Sequence, residues 1–366
     1  MDIIPHSFSD NKTFPRPIMR LPWVFALLAA FLFALSVPLG KKLLDGLRPL
    51  ELSALCYLGS GLGLLVWRAL VSGRGSEAPL AKRDLPFVAG FVLTGGVLAP
   101  LLLFSGLRLT ASSSASMLLN FELLFTSLIA VTVFREPGGA RFWTAAALVT
   151  AGGCALSLDG GGARPELGAL LVLAAGFMLG VDNNLTARVS MKDPVTLAAI
   201  KGLAGGLVSG GLALFTYRSL PQFNWACAAL LLGFASYGLS LVLFILGMRG
   251  LGASRAGAFF GVYPFLGAVL SVWMLGEPVT PGLLWAGGLM LTAFLLLTAE
   301  SHGHAHRHKA LTHEHSHIHA DGHHGHTHAD PRPGAHSHPH AHEVLEHEHA
   351  HNPDEHHRHA HDKAVL

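Results

Sequence analysis

Gly106-Leu-Arg-Leu-Thr-Ala-Ser-Ser-Ser-Ala-Ser-Met-Leu-Leu-Asn-Phe-Glu122, running on to Arg135-Glu-Pro137, returns later in the chain. Its second form is Gly247-Met-Arg-Gly-Leu-Gly-Ala-Ser-Arg-Ala-Gly-Ala-Phe-Phe-Gly-Val-Tyr263, followed by Gly276-Glu-Pro278. At one fixed offset, Gly106, Arg108, Ser113, Ala115, Glu136 and Pro137 match Gly247, Arg249, Ser254, Ala256, Glu277 and Pro278. The identities fall at punctuation points rather than inside apolar runs. Earlier in each copy, Arg48-Pro49 and Asp193-Pro194 both open an apolar run. The chain therefore reads as one unit written twice.

The surrounding sequence identifies the medium. Half of the 366 residues are hydrophobic and 13% are charged, against roughly 25% charged in soluble domains. A helix crossing the hydrocarbon needs about 20 apolar residues, because it rises about 1.5 Å per residue through a layer about 30 Å thick. The apolar runs are continuous rather than short and alternating, which argues for helices and against a barrel. Hydropathy predicts helices near 22–40, 50–71, 86–106, 112–134, 141–158, 167–188, 195–216, 225–247, 254–275 and 281–299. The fold class expected is an all-α polytopic membrane protein of ten transmembrane helices. Its organisation is a cytoplasmic N-terminus (1–20), two five-helix repeats (21–158 and 159–300) and a histidine-rich tail (301–366). The run from Leu21 follows Lys12, Arg16 and Arg20 but lacks a clear cleavage site, so it reads as a retained helix.

Five helices per copy is an odd number, so the second copy enters the membrane upside down. Charge tests this, since Lys and Arg gather in cytoplasmic loops. With the N-terminus inside, the inner side holds Lys12, Arg16, Arg20, Arg68, Arg74, Lys82, Arg83, Arg135, Arg141, Arg188, Lys192, Arg249 and Arg255. The outer side holds fewer: Lys41, Lys42, Arg48, Arg108, Arg164 and Arg218. Both termini are expected in the cytoplasm of a cell with this chain in its plasma or inner membrane. Inverted repeats recur in secondary transporters, where two halves rock around a midplane site.

The stretch 111–122 with Arg135-Glu-Pro137, and its second form with Tyr263-Pro264 and Gly276-Glu-Pro278, resembles the EamA family of the drug/metabolite transporter superfamily. The resemblance covers nearly all of 20–300. It implies a ten-helix secondary transporter, often an exporter of metabolites; an enzyme is not expected, because the predicted helices hold no nucleophile–base or metal-ligand constellation. In the first copy Glu122 is followed by Leu123 where the family has proline; the second copy keeps Pro264 behind Tyr263.

Ionisable groups at the bilayer centre cost about 2.5–3.5 kcal/mol on insertion scales and usually face a cavity. Glu51, Glu122, Asp182 and Lys201 are such groups. Glu122 falls mid-helix beside Asn120, and the offset assigns it Tyr263 as counterpart and Asn120 Gly261. These groups are expected to line a shared cavity. Burial disfavours a charged carboxylate, so Glu122 can bind and release a proton during transport. Asp182 and Lys201 stand equally far from the turn near residue 191, so an antiparallel helix pair puts them at one depth as an ion pair. Asn183 and Asn184 add amide groups beside Asp182. Glu51 is placed near the outer helix end, and Glu136 and Glu277 at helix ends before prolines. Pro38, Pro100 and Pro264 are expected to kink their helices. Cys56, Cys154 and Cys227 read as small buried residues.

Of 24 histidines, 23 follow Ser301. His302, His304, His306, His308, His313, His315, His317 and His319 alternate with other residues, and His323, His324, His326 and His328 continue the tract. Neutral imidazole suits zinc, nickel, copper and cobalt. With Pro, Gly and acidic residues between, the composition reads as a disordered metal-binding tract. No cofactor is required; a divalent transition metal at the tail is the one inorganic ligand implied. The partners expected are the lipid bilayer and a small-molecule or ion substrate. A net charge of +2 gives no case for nucleic acid, and association as a homodimer is left open. Two other readings stand beside a metabolite exporter: a divalent metal transporter, and a membrane-anchored metal buffer or sensor.

Overall fold

The computed structural model describes residues 22–71, 80–133, 140–158, 167–189, 192–251, 253–298, 302–307, 311–317, 336–342 and 346–351. Fifteen α-helices run through it up to residue 298: α1 (Pro22–Ala34), α2 (Ser36–Leu43), α3 (Pro49–Val71), α4 (Leu85–Phe91), α5 (Ala99–Leu109), α6 (Ser112–Leu118), α7 (Asn120–Thr132), α8 (Ala140–Leu158), α9 (Leu167–Ala187), α10 (Pro194–Tyr217), α11 (Phe223–Gly233), α12 (Ser240–Leu251), α13 (Ala253–Phe260), α14 (Tyr263–Leu275) and α15 (Pro281–Thr298). Seven spans built from them are long and apolar enough to cross a membrane, and Phe142–Leu156, Tyr263–Leu275 and Pro281–Leu296 are shorter apolar helices.

Burial runs opposite to that of a water-soluble protein. Trp273 is 78% exposed and Phe215 77%, while Asp182 is 4% and Glu51 6% exposed. Such an apolar exterior around buried charge is stable only in lipid. The helical body is a multi-pass membrane protein. Cys154 is exposed, a correction to its expected burial, because an apolar run can face lipid as well as a core; Cys56 is buried.

Five of the expected continuous spans are interrupted, three of them by helix breaks with a local cause. Between α1 and α2, Pro38 has no N–H to give the carbonyl of Ala34, and the helix steps at Leu35. Pro264 does the same to Phe260 between α13 and α14. The step between α6 and α7 has no proline. There the Asn120 side chain donates to the Met117 carbonyl (2.9 Å) and the Glu122 N–H bonds Leu119 O at 3.0 Å, three residues back, so side-chain competition and a tight turn replace the ring. The other two interruptions are π-helical turns, Val92–Leu98 and Phe234–Leu239. Their starts lie 142 residues apart (Val92 and Phe234). Pro100 follows the first turn and cannot donate to Gly96.

Packing partners follow the same spacing. α5 lies on α9 and α1 on α12; α7 lies on α9 and α1 on α14. α3 crosses α10 and α8 crosses α15, each joining corresponding helices of the two copies. At the α3–α10 crossing the backbones nearly touch: a Cβ on Gly202 would stand 2.6 Å from the Gly61 nitrogen. Small residues allow this approach.

Most of the tail, expected to be an unstructured tract, lies outside the described residues. Its described parts are extended and paired: β1 (His302–Arg307) with β4 (Glu346–His351), and β2 (Leu311–His317) with β3 (His336–His342), both antiparallel. A residue alternation of period two is compatible with a strand. His302, His304 and His306 fall in β1 and His313, His315 and His317 in β2, whereas His308, His319, His323, His324, His326 and His328 lie outside the described residues.

Candidate functional site

The interrupted helices meet around a cavity of about 250 Å³. Its polar centre is assembled from both copies. Glu122, in the first turn of α7, accepts hydrogen bonds from Tyr263 Oη (2.7 Å) and Asn183 Nδ2 (2.9 Å). Tyr263 opens α14, so the Pro264 break aims its ring inward. Expected counterparts at one depth are thus in direct contact. Asn183 also reaches Thr126 Oγ1 at 3.2 Å.

The second polar group is the ion pair read from the sequence. Lys201 Nζ on α10 lies 2.6 Å from Asp182 Oδ2 on α9. The Asp182 side chain is 5% exposed and that of Lys201 23%. Gly95, within the first π turn, makes room for it: a Cβ there would meet Asp182 Cγ at 2.3 Å. π turns are frequent at functional sites; the second contributes Ser236 and Tyr237 to the cavity wall, while the first lies behind it, its Gly95 carbonyl accepting from Tyr57 of α3, which does line the cavity.

Aromatic rings close the rest. Phe33 packs edge-on to Tyr263 (4.7 Å between centroids) and Tyr237 (5.6 Å), with Phe260 at 5.5 Å. A ligand in this space would meet one carboxyl held by neutral donors, one ion pair with its cation facing inward, and π faces. That set can exchange a proton at Glu122 and orient a small polar molecule with an apolar body.

Asn120 and Asn184 do not join the cavity wall. Asn120 is bonded to Met117 O, as above, and Asn184 ties α9 to α7 through Thr126 O (3.1 Å) and its own helix through Gly180 O (2.8 Å). Glu51 braces the start of α3: it accepts from Arg48 N (2.9 Å), the residue before the helix, and pairs with the Arg48 guanidinium (3.1 Å), which also stacks 3.8 Å from the Tyr217 ring centre. Glu136 lies outside the described residues. Glu277, read from sequence as a helix end, is engaged across the copies: its two carboxylate oxygens accept from Ser112 N (2.6 Å) and Ser113 N (2.8 Å). The sequence reading missed Tyr57, Tyr237 and Phe33. A signal existed: the chain has four tyrosines, and Tyr57, Tyr237 and Tyr263 all line the cavity.

On the side of α3's end and α10's start, Arg68 pairs with Asp193 and bonds Thr196. Asp193 caps α10, accepting from Val195 N (3.1 Å) and Thr196 Oγ1 (2.5 Å). Burial alone would raise its pKa, but the hydrogen bonds from Thr196 and Arg68, the Arg68 charge and the Val195 amide outweigh it and hold the carboxyl below its ordinary range.

A multi-pass helical body enclosing an apolar cavity with a polar centre is an arrangement that suits a membrane transporter. The EamA-like transporter family matches the chain twice, over residues 21–158 and 166–299, and the chain belongs to that family. Among its relatives is a protein named "Uncharacterized transporter" from Methanothermobacter thermautotrophicus, 29% identical over 301 residues, which covers 76% of this chain and 87% of the relative. A solved crystal structure shares the fold at 18% identity, with a TM-score of 0.56 over 76% of this chain and 96% of its own.

Proposed function

We propose that this chain is a secondary active transporter, an exporter of a small metabolite driven by protons. Its two five-helix copies lie oppositely in the cell membrane with both termini in the cytoplasm. The observation that carries this reading is the bond between Glu122 and Tyr263: a carboxyl held by neutral donors in the cavity wall, shared between corresponding positions of the two copies. Such a group can hold a proton or an ammonium-bearing substrate, and rocking of the halves would expose it to each side in turn. The paired match of one family to both halves, the offset packing partners and the two π turns support the inversion. Asp182 and Lys201 would orient the substrate's polar groups, with Asn183 setting Glu122.

The tail is proposed as a metal-binding accessory that takes no part in the transport path. The test is flux in proteoliposomes for the full chain and for a form ending at Ser301, with a panel of amino acids, other metabolites, nickel, cobalt and zinc. Metabolite flux in both forms, dependent on a pH gradient, is expected. Metal flux in both would replace the reading with a metal transporter. Metal binding without flux of any solute would replace it with a buffer or sensor.

A further inference from the structure

One face of the helical body is closed by contacts between the two copies, backed by a lysine within the first. Glu277, just past α14, sends both carboxylate oxygens to the first amides of α6, Ser112 N and Ser113 N. These amides have no partner inside their own helix, and the positive end of the helix favours an anion. One turn further in, Ser112 Oγ meets Ser271 Oγ of α14 at 2.8 Å, and Ser271 Oγ also donates to Gly267 O at 2.7 Å. Deeper still, α6 and α14 approach until a Cβ on Gly267 would lie 2.8 Å from Ser116 Oγ.

The turn that leads into α6 is held from its other side. Lys41 Nζ, from α2, donates to Leu107 O (2.6 Å) and Thr110 O (2.8 Å), two carbonyls at the end of α5. A cation thus sits at the negative end of α5 and an anion at the positive end of α6, with the two-residue connection 110–111 between the helices. Both ions come from outside that hairpin. Neither charge is used by the cavity: Lys41 and Glu277 do not line it.

We propose that Glu277 and Lys41 form a clasp that seals this face of the transporter and must release for the cavity to open there. A hydrophobic seam alone would slide. Two charge-assisted bonds to backbone amides are strong, directional and broken together, so they give this face two discrete states rather than a continuum. Glu277 is a positioning residue: it touches no substrate and acts through the placement of α6, whose continuation carries Glu122. The proposal rests on the alternating-access reading above.

The test uses the full chain in oriented vesicles, with Cys56, Cys154 and Cys227 replaced by Ala and one reporter cysteine, Ser236→Cys, in the cavity wall. A membrane-impermeant maleimide is added from the face that carries residues 109–111. Glu277→Ala should raise the labelling rate from that face by about tenfold, the scale of losing charged hydrogen bonds, and lower it from the other. Glu277→Gln should fall between, and Lys41→Met should shift the rates in the same direction. Unchanged rates from both faces in variants that remain monodisperse would overturn the clasp and leave the transport reading intact. If Glu277→Ala does not insert, Lys41→Met and Ser271→Ala decide by the same rates. No labelling from either face in any variant would instead remove the solvent path on which the transport reading depends.

Discussion

Glu122 and Tyr263 stand 141 residues apart in the chain and share a 2.7 Å hydrogen bond at the centre of the cavity. One repeat supplies the acid and the other its hydroxyl, at corresponding positions. Glu122→Gln keeps the shape and the bond to Tyr263 but cannot carry a proton. Flux coupled to a pH gradient should vanish while the protein remains folded and monodisperse. Proton-coupled flux equal to the parent's would remove Glu122 from the mechanism. Tyr263→Phe should cost about 1 kcal/mol in stability, the net worth of one such bond, and slow transport without abolishing it.

The Asp182–Lys201 pair sets up a double-mutant test. Asp182→Asn should abolish transport and lower the melting temperature, since it leaves a half-buried ammonium without its counter-ion; full burial would cost roughly 3–5 kcal/mol, and the partly exposed Lys201 reduces that. Asp182→Asn with Lys201→Gln removes both charges and should recover much of the stability but not the flux. Recovery of both would mark the pair as structural.

Gly95 is where the π turn and Asp182 share space, with a Cβ falling 2.3 Å from Asp182 Cγ. Gly95→Ala should destabilise the protein by roughly 1–3 kcal/mol, the usual cost of overpacking. The carboxylate must shift, so substrate affinity should fall with it. A thermal-unfolding midpoint and an apparent affinity both unchanged would mean that α9 moves freely there.

Asp193 carries the pH prediction. Its folded-state carboxyl titrates below the ordinary value, so the unfolded chain takes up the proton first. Its contribution is complete at neutral pH and is lost as pH falls through the depressed folded value. Asp193→Ala should cost about 1 kcal/mol, typical of a lost N-cap, when melting is measured at pH 7. The gap to the parent should narrow when the same melts are run below about pH 4, near the free aspartate value. A gap that stays constant with pH would mean that the charge is not what stabilises the α10 start.

The multi-pass helical character was legible because a lipid-spanning helix must be long and apolar, and the repeated motif showed which residues correspond. The offset led directly from Glu122 to Tyr263, and the depth count from the turn led to Asp182 and Lys201. What stayed hidden depends on tertiary approach. Hydropathy does not distinguish a straight helix from one with a π turn, so 86–106 and 225–247 read as continuous. The break before Asn120 has no proline to announce it. Asn120 and Asn184 look like cavity groups by type, yet their amides are spent on carbonyls of their own and a neighbouring helix. Glu277 looked like a helix terminator, because its partners, the amides of Ser112 and Ser113, belong to every residue alike and leave no trace in sequence.

Two copies of one unit set oppositely in the bilayer around Glu122 would carry their Glu-Pro ends to opposite faces of the membrane. Single cysteines placed at Gly138 and Val279, each just past the Glu-Pro of its copy, test it by labelling with an impermeant reagent in right-side-out vesicles. The inverted arrangement predicts that position 279 reacts at once and position 138 only after the membrane is permeabilised. Reaction of both positions from the same side would contradict it.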